Sequence, residues 1–154
     1  MNEQSVKTMW QNFLQTLVPK EAAKANYEAW PFGDGPELAD ELATLVKAGE
    51  KTATCSLYQF YIDDSENIPK VGEYNIITDW YGQAILITQT KKVDIVPFNE
   101  VSAEFAFKEG EGDKSYEYWR REHIKFFNRE LAESNRSFDE NMLVVCEEFE
   151  VVFE

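Results

Sequence analysis

Histidine, cysteine and membrane-length apolar runs are scarce or missing in this chain of 154 residues. One histidine and two cysteines, Cys55 and Cys146, with no CxxC pair, offer little for a metal site, so we expect neither metal nor cofactor. Residues 1–5 lack a secretory leader pattern, which together with only two cysteines is typical of a cytoplasmic protein with reduced thiols. No apolar run approaches the roughly 20 residues of a membrane span, so no membrane contact is expected.

Basic residues are also in short supply, with 15 against 29 acidic ones and a net charge of −14. Because a phosphate backbone is bound through lysine and arginine, this balance argues against an extended nucleic-acid surface. Residues 51–98 have four basic and six acidic side chains and are the stretch least repulsive to an anion. Any nucleic-acid contact is therefore expected to be local, around Lys51 and a few arginines.

Helical periodicity dominates the first 48 residues. An amphipathic helix that stops near Pro19 is predicted, and a short second helix over 20–29 and a third over about 37–48 follow. Between the last two lies a loop rich in glycine and proline, where Trp30 and Phe32 either line a pocket for a planar ligand or pack the loop onto the body of the protein. The first helix is predicted from the apolar series Val6, Met9, Trp10, Phe13, Leu14 and Leu17.

The remainder of the chain alternates between strand and helix patterns. Consecutive short strands with short turns favour an antiparallel, curled sheet over βαβ units, so we expect an α+β fold in which all strands share one sheet and one core. A single domain, 1–154, with its helical part, 1–48, packed on the sheet is expected. Strands are predicted at 51–62, 73–79, 84–90, 91–96 and 142–153, and helices at about 99–107 and 115–131.

The first candidate for chemistry is the junction of residues 49–54, where a helix pattern gives way to a strand pattern. Gly49 stands where a helix C-cap glycine is expected. In an extended chain Thr52 and Thr54 point the same way, and Lys51 can swing over that face. A lysine beside two hydroxyls is a plausible set of base and nucleophile, and the alternative is a strand start with a solvated lysine.

The second candidate is a glycine-rich acidic loop at 108–113. Glu109 or Glu111, held near a lysine, can act as acid, base or polariser, whereas the alternative is a solvated acidic loop. The spacing of an EF-hand calcium loop is absent.

The third candidate is the helix that contains the histidine. His123 shares a face with Trp119 and Phe127, and is either catalytic or a core residue bound to a carbonyl or carboxylate. Arg120 can meet a phosphate or pair with acids on the surface.

Taken together, five short motifs resemble the ASCH (activating-signal-cointegrator homology) domain family, and within it the bacterial stand-alone branch. The similarity covers nearly the whole chain. The motifs are Phe32-Gly33-Asp34-Gly35, Ala48-Gly49-Glu50-Lys51-Thr52-Ala53-Thr54, Pro69-Lys70-Val71-Gly72, Phe105-Ala106 with Glu109-Gly110-Glu111-Gly112-Asp113, and Tyr118-Trp119-Arg120-Arg121-Glu122-His123.

The resemblance implies a PUA-like β-barrel with flanking helices, and RNA or nucleotide-related ligands. A smaller ASCH relative is an amidohydrolase that removes the acetyl group from N4-acetylcytidine. Its motif implies Thr54 as nucleophile, Lys51 as base and Glu109 as the group that holds the amide or protonates the leaving amine. The longer N-terminal helices, the loop 109–113 and the helix with His123 depart from that enzyme.

Three functions are compatible with these residues. The first is a hydrolase for a modified nucleoside, with Thr52, Arg120, His123, Glu111, Trp30 and Phe32 as ligand contacts around Lys51, Thr54 and Glu109. The second is a non-catalytic RNA- or nucleotide-binding module, and the third is a ribonuclease using Lys51, Arg120 and His123. The acidic balance favours the first, with a small nucleoside, nucleotide or short RNA as partner, and leaves the oligomeric state open.

Overall fold

The computed structural model describes residues 2–154 and contains a five-stranded sheet in the order β1-β3-β4-β5-β2. Six α-helices and one 3₁₀ turn flank it within the described part of the chain. The strands are β1 Tyr27–Pro31, β2 Ala53–Leu57, β3 Tyr74–Thr78, β4 Ala84–Pro97 and β5 Leu143–Phe153. The helices are α1 Glu3–Leu14, α2 Pro19–Ala22, α3 Pro36–Lys47, α4 Tyr58–Asp63, α5 Ala103–Glu109 and α6 Tyr116–Ala132, and the 3₁₀ turn is Phe98–Glu100.

The sheet is curled into a half-barrel, and its two long strands carry the curvature. Strand β4 pairs with both β3 and β5, and its register shifts at Ile87/Thr88 and again at Thr90/Lys92. Such bulges bend a strand and increase its twist. All pairings are antiparallel except that of β1 with β3, which is parallel. The prediction of an α+β fold with one curled sheet is therefore confirmed.

Three apolar clusters attach the helices to the sheet. Helix α1 packs Trp10 and Phe13 against Ile76 and Ile87. Helix α3 packs on the neighbouring residues Ile77 and Leu86, and because successive strand residues face opposite sides, α1 and α3 cover opposite faces of β3 and β4. Helices α5 and α6 cover the far end of the sheet. Their cluster includes Ala53, Leu57, Phe105, Phe127, Leu131 and Val144.

Two segments differ from the sequence prediction. The predicted strand 51–62 ends at Leu57, and helix α4 follows it; a short aromatic run fits either structure, and here the Tyr61 hydroxyl is hydrogen-bonded back to Ser56 Oγ at 2.8 Å. The predicted helix 20–29 is only the four-residue α2, and the chain then forms β1. Residues 1–48 are thus not wholly helical, since β1 pairs with β3, which lies more than 40 residues further along the chain.

The remaining elements are close to their predicted positions. The helix predicted at 99–107 is divided between the 3₁₀ turn and α5, with the Ser102 hydroxyl capping α5. The strands 84–90 and 91–96 form the single bulged strand β4.

Among residues 2–154, no helix combines the length and apolarity that a bilayer crossing requires.

Two glycines bring the start of β2 against the end of α5. Gly49 has φ +79° and closes α3 with a Schellman pattern, in which Glu50 N–H bonds to Leu45 O at 2.9 Å. Gly110, with φ +70°, caps α5 and lies so close to Glu50 that an added Cβ would be 2.1 Å from Glu50 O. The backbone N–H of Thr52 then bonds to Lys108 O at 2.8 Å. This contact places Lys51 directly beside Glu109.

Because the two glycines differ in their surroundings, the contact can be tested by substitution. Both have left-handed φ, but a Cβ on Gly49 would meet nothing within 4 Å. We expect Gly49→Ala to lower the free energy of unfolding by about 1 kcal/mol, the cost of the backbone conformation alone. Gly110→Ala adds a backbone clash and should cost about 3 kcal/mol or more. Urea unfolding of both variants measures the difference, and equal losses would show that the close approach is absent in solution.

Candidate active site

A buried lysine is the centre of the site. Lys51 is 2% exposed, and its Nζ donates to Glu109 Oε1 at 3.0 Å, Glu111 Oε2 at 3.0 Å and Ala53 O at 2.8 Å. These three bonds use all three N–H donors of an ammonium group. Burial lowers the pKa of Lys51, but the charges of Glu109 and Glu111 outweigh it and raise the pKa above its usual value. Lys51 is therefore a fixed cation in this structure.

Glu109 is the carboxylate that is most firmly held. It is the last residue of α5 and is 1% exposed. While Oε1 accepts from Lys51, Oε2 accepts from the indole N–H of Trp119 and lies 3.1 Å from His123 Nε2. Burial raises the pKa of Glu109, but the charges of His123 and Lys51 and the bonds to His123 and Trp119 prevail and lower it to about 2.

The single histidine is a second cation. His123 Nδ1 lies 2.8 Å from Trp119 O, which only accepts, so this nitrogen carries a proton. Its Nε2 faces the ionised Glu109 and must carry a proton as well. Burial lowers the pKa of His123, but the charge of Glu109 and its hydrogen bond raise it overall. The ring also stacks on Trp119, with centroids 4.4 Å apart.

Glu111 is held more loosely. It lies in the loop between α5 and α6, and 24% of its side chain is exposed. Oε2 accepts from Lys51, and no residue in 2–154 donates to Oε1. Burial raises the pKa of Glu111 and the charge of Glu109 adds to this rise, which the attraction of Lys51 does not cancel.

By composition, this cluster also resembles a metal site. One ligand atom from each of Glu109, Glu111 and His123 lies within 4.8 Å of the others. The Lys51 ammonium group, however, already lies 3.0 Å from an oxygen of each carboxylate. A protonated lysine there supplies the positive charge that a metal ion would bring, so the donor set does not fit a metal while Lys51 is charged.

The cluster forms the floor of a cavity of about 410 Å³. Trp30 and Phe32 at the end of β1 contribute aromatic surface on one side, and Lys51 Nζ lies 5.5 Å from the centroid of the Phe32 ring. Residues 54–57 of β2 form another wall. Helix α6 closes the cavity with Tyr118, Glu122, His123, Phe126, Phe127, Arg129 and Glu130.

The structure brings most of the predicted site residues to this cavity. Two of them do not line it. The Thr52 hydroxyl lies 3.4 Å from Lys108 O, and Thr52 is not part of the cavity wall. Arg120 pairs with Glu140, and its guanidinium lies 5.4 Å from the centroid of the Phe98 ring. The residues that do line the cavity are Lys51, Thr54, Glu109, Glu111, His123, Trp30 and Phe32.

Two contacts on α6 are absent from the sequence prediction of the site. The spacing places Trp119 beside His123 as an apolar neighbour, whereas in the structure its indole N–H donates to Glu109. Tyr118, one position earlier, lines the cavity. The signal for Trp119 is its four-residue spacing from His123, since two donors on one helix face can share an acceptor. Tyr118 has no such signal, because an adjacent residue on a helix points about 100° away.

Comparison with known families and structures gives a consistent result. A family model described as the ASCH domain matches residues 28–153. An ASCH domain from Lactobacillus crispatus is 36% identical, with a TM-score of 0.92 over 100% of this chain and 97% of that chain. A protein from Enterococcus faecalis is 41% identical, with a TM-score of 0.84 over 97% and 89%.

A more distant solved structure shares the fold alone. The hypothetical protein PH0355 is 21% identical, with a TM-score of 0.56 over 82% of this chain and 100% of that chain. No curated protein matches this chain significantly.

The buried network makes Glu109 a strong determinant of stability. Glu109→Gln removes the negative charge between Lys51 and His123 and leaves two buried cations undercompensated. We expect the free energy of unfolding to fall by about 3–5 kcal/mol. Urea unfolding at pH 7 measures this. The matched control is Glu104→Gln on the same helix, whose side chain is 83% exposed and pairs weakly with Lys108, so its cost should stay below about 0.5 kcal/mol. Similar losses for the two variants would contradict the network.

If His123 is charged in the folded state, the free energy of unfolding depends on pH. A group whose folded pKa is raised stabilises the fold fully below its unfolded pKa, about 6.5, and loses that contribution as pH rises through the folded pKa. The wild type should therefore lose stability above about pH 6.5, whereas His123→Gln should lack that part of the decrease. Urea unfolding from pH 5 to 9 compares them. An unchanged pH slope in the variant would mean that His123 is neutral in the folded state.

Proposed function

This chain belongs to the ASCH domain family, which has a PUA-like, RNA-binding type of fold, and from this premise we propose that its cavity binds a modified nucleoside and hydrolyses an acyl amide on the base. The observation that carries the proposal is the arrangement of the cavity itself. Its walls include several aromatic side chains, its floor is a polar cluster in which opposite charges pair, and its volume of about 410 Å³ is within the range of small-molecule sites.

Aromatic walls suit a flat, polarised ring. Trp30 and Phe32 meet edge to face, with centroids 4.8 Å apart, and the Trp30 indole N–H donates to Asn75 at 2.9 Å, which fixes its ring. Tyr118 and Phe126 lie on the α6 side of the cavity. Stacking of a base on such side chains is worth about 1–3 kcal/mol.

The electrostatics favour a nucleoside over a nucleotide. The cations Lys51 and His123 already face the carboxylates Glu109 and Glu111, so the floor has little net charge. All three Lys51 donors are taken by protein acceptors. At the rim, Arg129 pairs with Asp34 at 2.9 Å. A phosphate would have to break these pairs, whereas an uncharged ligand would not.

For the reaction, Thr54 is the proposed nucleophile because it is a hydroxyl residue of the cavity wall, three residues after Lys51. The proposed base role of Lys51 requires its neutral form. Two carboxylates raise the pKa of Lys51 in the unliganded site, so a base role needs a ligand that separates Lys51 from at least one of them. A charged Lys51 instead suits stabilisation of a developing oxyanion.

The second candidate is binding without catalysis. In the unliganded site every Lys51 proton already has an acceptor, which favours this candidate because such a Lys51 is not available as the base that the motif assigns to it. A ribonuclease has less support, since Arg120 is paired with Glu140 outside the cavity wall.

The test is hydrolysis of N4-acetylcytidine and other N-acylated nucleosides, followed by chromatography of the nucleoside products. We expect the wild type to release cytidine from N4-acetylcytidine, and the 5′-monophosphate to react at least about tenfold more slowly, which corresponds to about 1.4 kcal/mol. Thr54→Val, which removes the hydroxyl at equal size, should lower kcat by about 1,000-fold or more.

Thr44→Val serves as the control for this substitution, because Thr44 is on an exposed position of α3 and its hydroxyl donates to the backbone oxygen of Asp40. Retained activity in Thr54→Val would exclude Thr54 as the nucleophile. If the wild type hydrolyses no acylated nucleoside but binds nucleosides with an affinity that depends on Lys51, binding without catalysis replaces the enzyme.

A further inference from the structure

Two carboxylates, those of Glu109 and Glu111, contact Lys51, and their different surroundings suit them to different roles. We infer that Glu111 is the carboxylate that exchanges protons with the substrate, and that Glu109 is a positioning residue that holds Lys51 and His123. This inference rests on the proposed amide hydrolysis. It assigns to Glu111 both the base role that the motif gives to Lys51 and the protonation of the leaving amine that the motif gives to Glu109.

Glu109 lacks the access that proton transfer needs, and each of its oxygens already accepts a hydrogen bond. Its side chain is 2% exposed, and both oxygens already accept from Lys51, Trp119 or His123. A carboxylate that accepts several charge-assisted bonds strongly favours its ionised form. Protonation of Glu109 would break its ion pairs with both cations at once. It can therefore orient these cations but cannot serve as a shuttle.

Glu111 has the properties that Glu109 lacks. Among residues 2–154 its side chain is hydrogen-bonded to Lys51 alone, its Oε1 has no donor, and the side chain is partly open to the cavity. It lies in a loop of six residues between α5 and α6, where the chain can adjust more readily than in a helix. Proton transfer requires a group within reach of the ligand, with an oxygen to spare.

The charges that face Glu111 come from three elements. Lys51, just before β2, attracts a negative Glu111, and Glu109 at the end of α5 repels it. His123 on α6 attracts it weakly, and the hydroxyl of Tyr118, also on α6, lies within its electrostatic reach. Burial raises the pKa of Glu111 above its usual value, and so moves that pKa towards neutral pH. A residue that both takes and gives a proton works best with a pKa near the working pH.

The reaction balances with Glu111 as the only shuttle. Thr54 Oγ1 forms a bond to the amide carbon while Glu111 takes the hydroxyl proton. The C–N bond breaks as Glu111 returns that proton to the leaving nitrogen, which leaves an acyl ester on Thr54. Water then adds to the ester carbon and gives a proton to Glu111, and the C–O bond breaks as that proton returns to Thr54. One amide and one water yield one acid and one amine.

Chemical rescue with a small carboxylate distinguishes the role of Glu111 from that of Glu109. We expect Glu111→Ala to lose at least about 100-fold in kcat on N4-acetylcytidine, with an unfolding midpoint near that of the wild type. Added formate should restore part of this activity, because a small carboxylate can enter the open cavity. Glu109→Ala should lose stability as well as activity. Formate should not restore the activity, since the Glu109 carboxylate is 2% exposed and enclosed by Lys51, Trp119 and His123. Glu104→Ala is the control for the loss of an exposed glutamate on α5.

The pH dependence of kcat in Glu111→Gln provides a second test. In the wild type, kcat should fall as pH decreases through the pKa of Glu111, because the ionised form is needed to accept a proton. This acidic limb should be absent from the residual activity of Glu111→Gln. A Glu111→Gln enzyme with wild-type kcat and the same acidic limb would overturn the inference, as would formate rescue of Glu109→Ala.

Failure of the inference and failure of the proposed function give different results. A wild type that hydrolyses no acylated nucleoside overturns the amidohydrolase and, with it, the shuttle. An active wild type with an insensitive Glu111 overturns only the shuttle. Carboxyl carbon NMR titration gives a reading that does not depend on activity. Glu111 should titrate at higher pH than Glu109, and the reverse order would contradict the assignment in either case.

Discussion

The site depends on one ammonium group that is removed from water. Lys51 would be costly to bury alone, and its three donors are satisfied by two carboxylates and one carbonyl. Glu109 in turn needs a second partner, which His123 supplies from α6. These contacts hold four segments together at one point: the end of α3, the start of β2, the end of α5 and the middle of α6. Removal of Lys51, Glu109 or His123 leaves a buried charge without its counterpart.

This arrangement also sets what the cavity can bind. Because its charges cancel internally, the cavity offers shape, aromatic surface and a few fixed polar atoms in place of a field that attracts anions. In a chain with a net charge of −14, that is consistent with weak attraction for long RNA, even though the fold is of an RNA-binding type. The proposed ligand, neutral and planar, is consistent with both the composition of the chain and the geometry of the site.

Much of the fold can be predicted from short-range patterns. Helices α1 and α6 and strand β5 follow from periodicity because each has one long apolar face. Strand β1 could not be predicted, since its five residues carry no strand periodicity and are held by parallel pairing with β3. The aromatic run after β2 fits strand or helix equally, and in the structure it forms α4, with the Tyr61 hydroxyl bonded back to Ser56.

The sequence alone determined which residues were available to the site: one histidine, a lysine after a helix-ending glycine, and two glutamates spaced by a glycine. Motif resemblance could therefore place Lys51 near Glu109. Only the tertiary structure decided their states. Burial and mutual distance favour the charged forms of Lys51 and His123. They also enclose Glu109, leave Glu111 partly open, and pair Arg120 with Glu140. Charge states depend on which groups lie within a few ångströms in a dry environment, and no linear pattern encodes that.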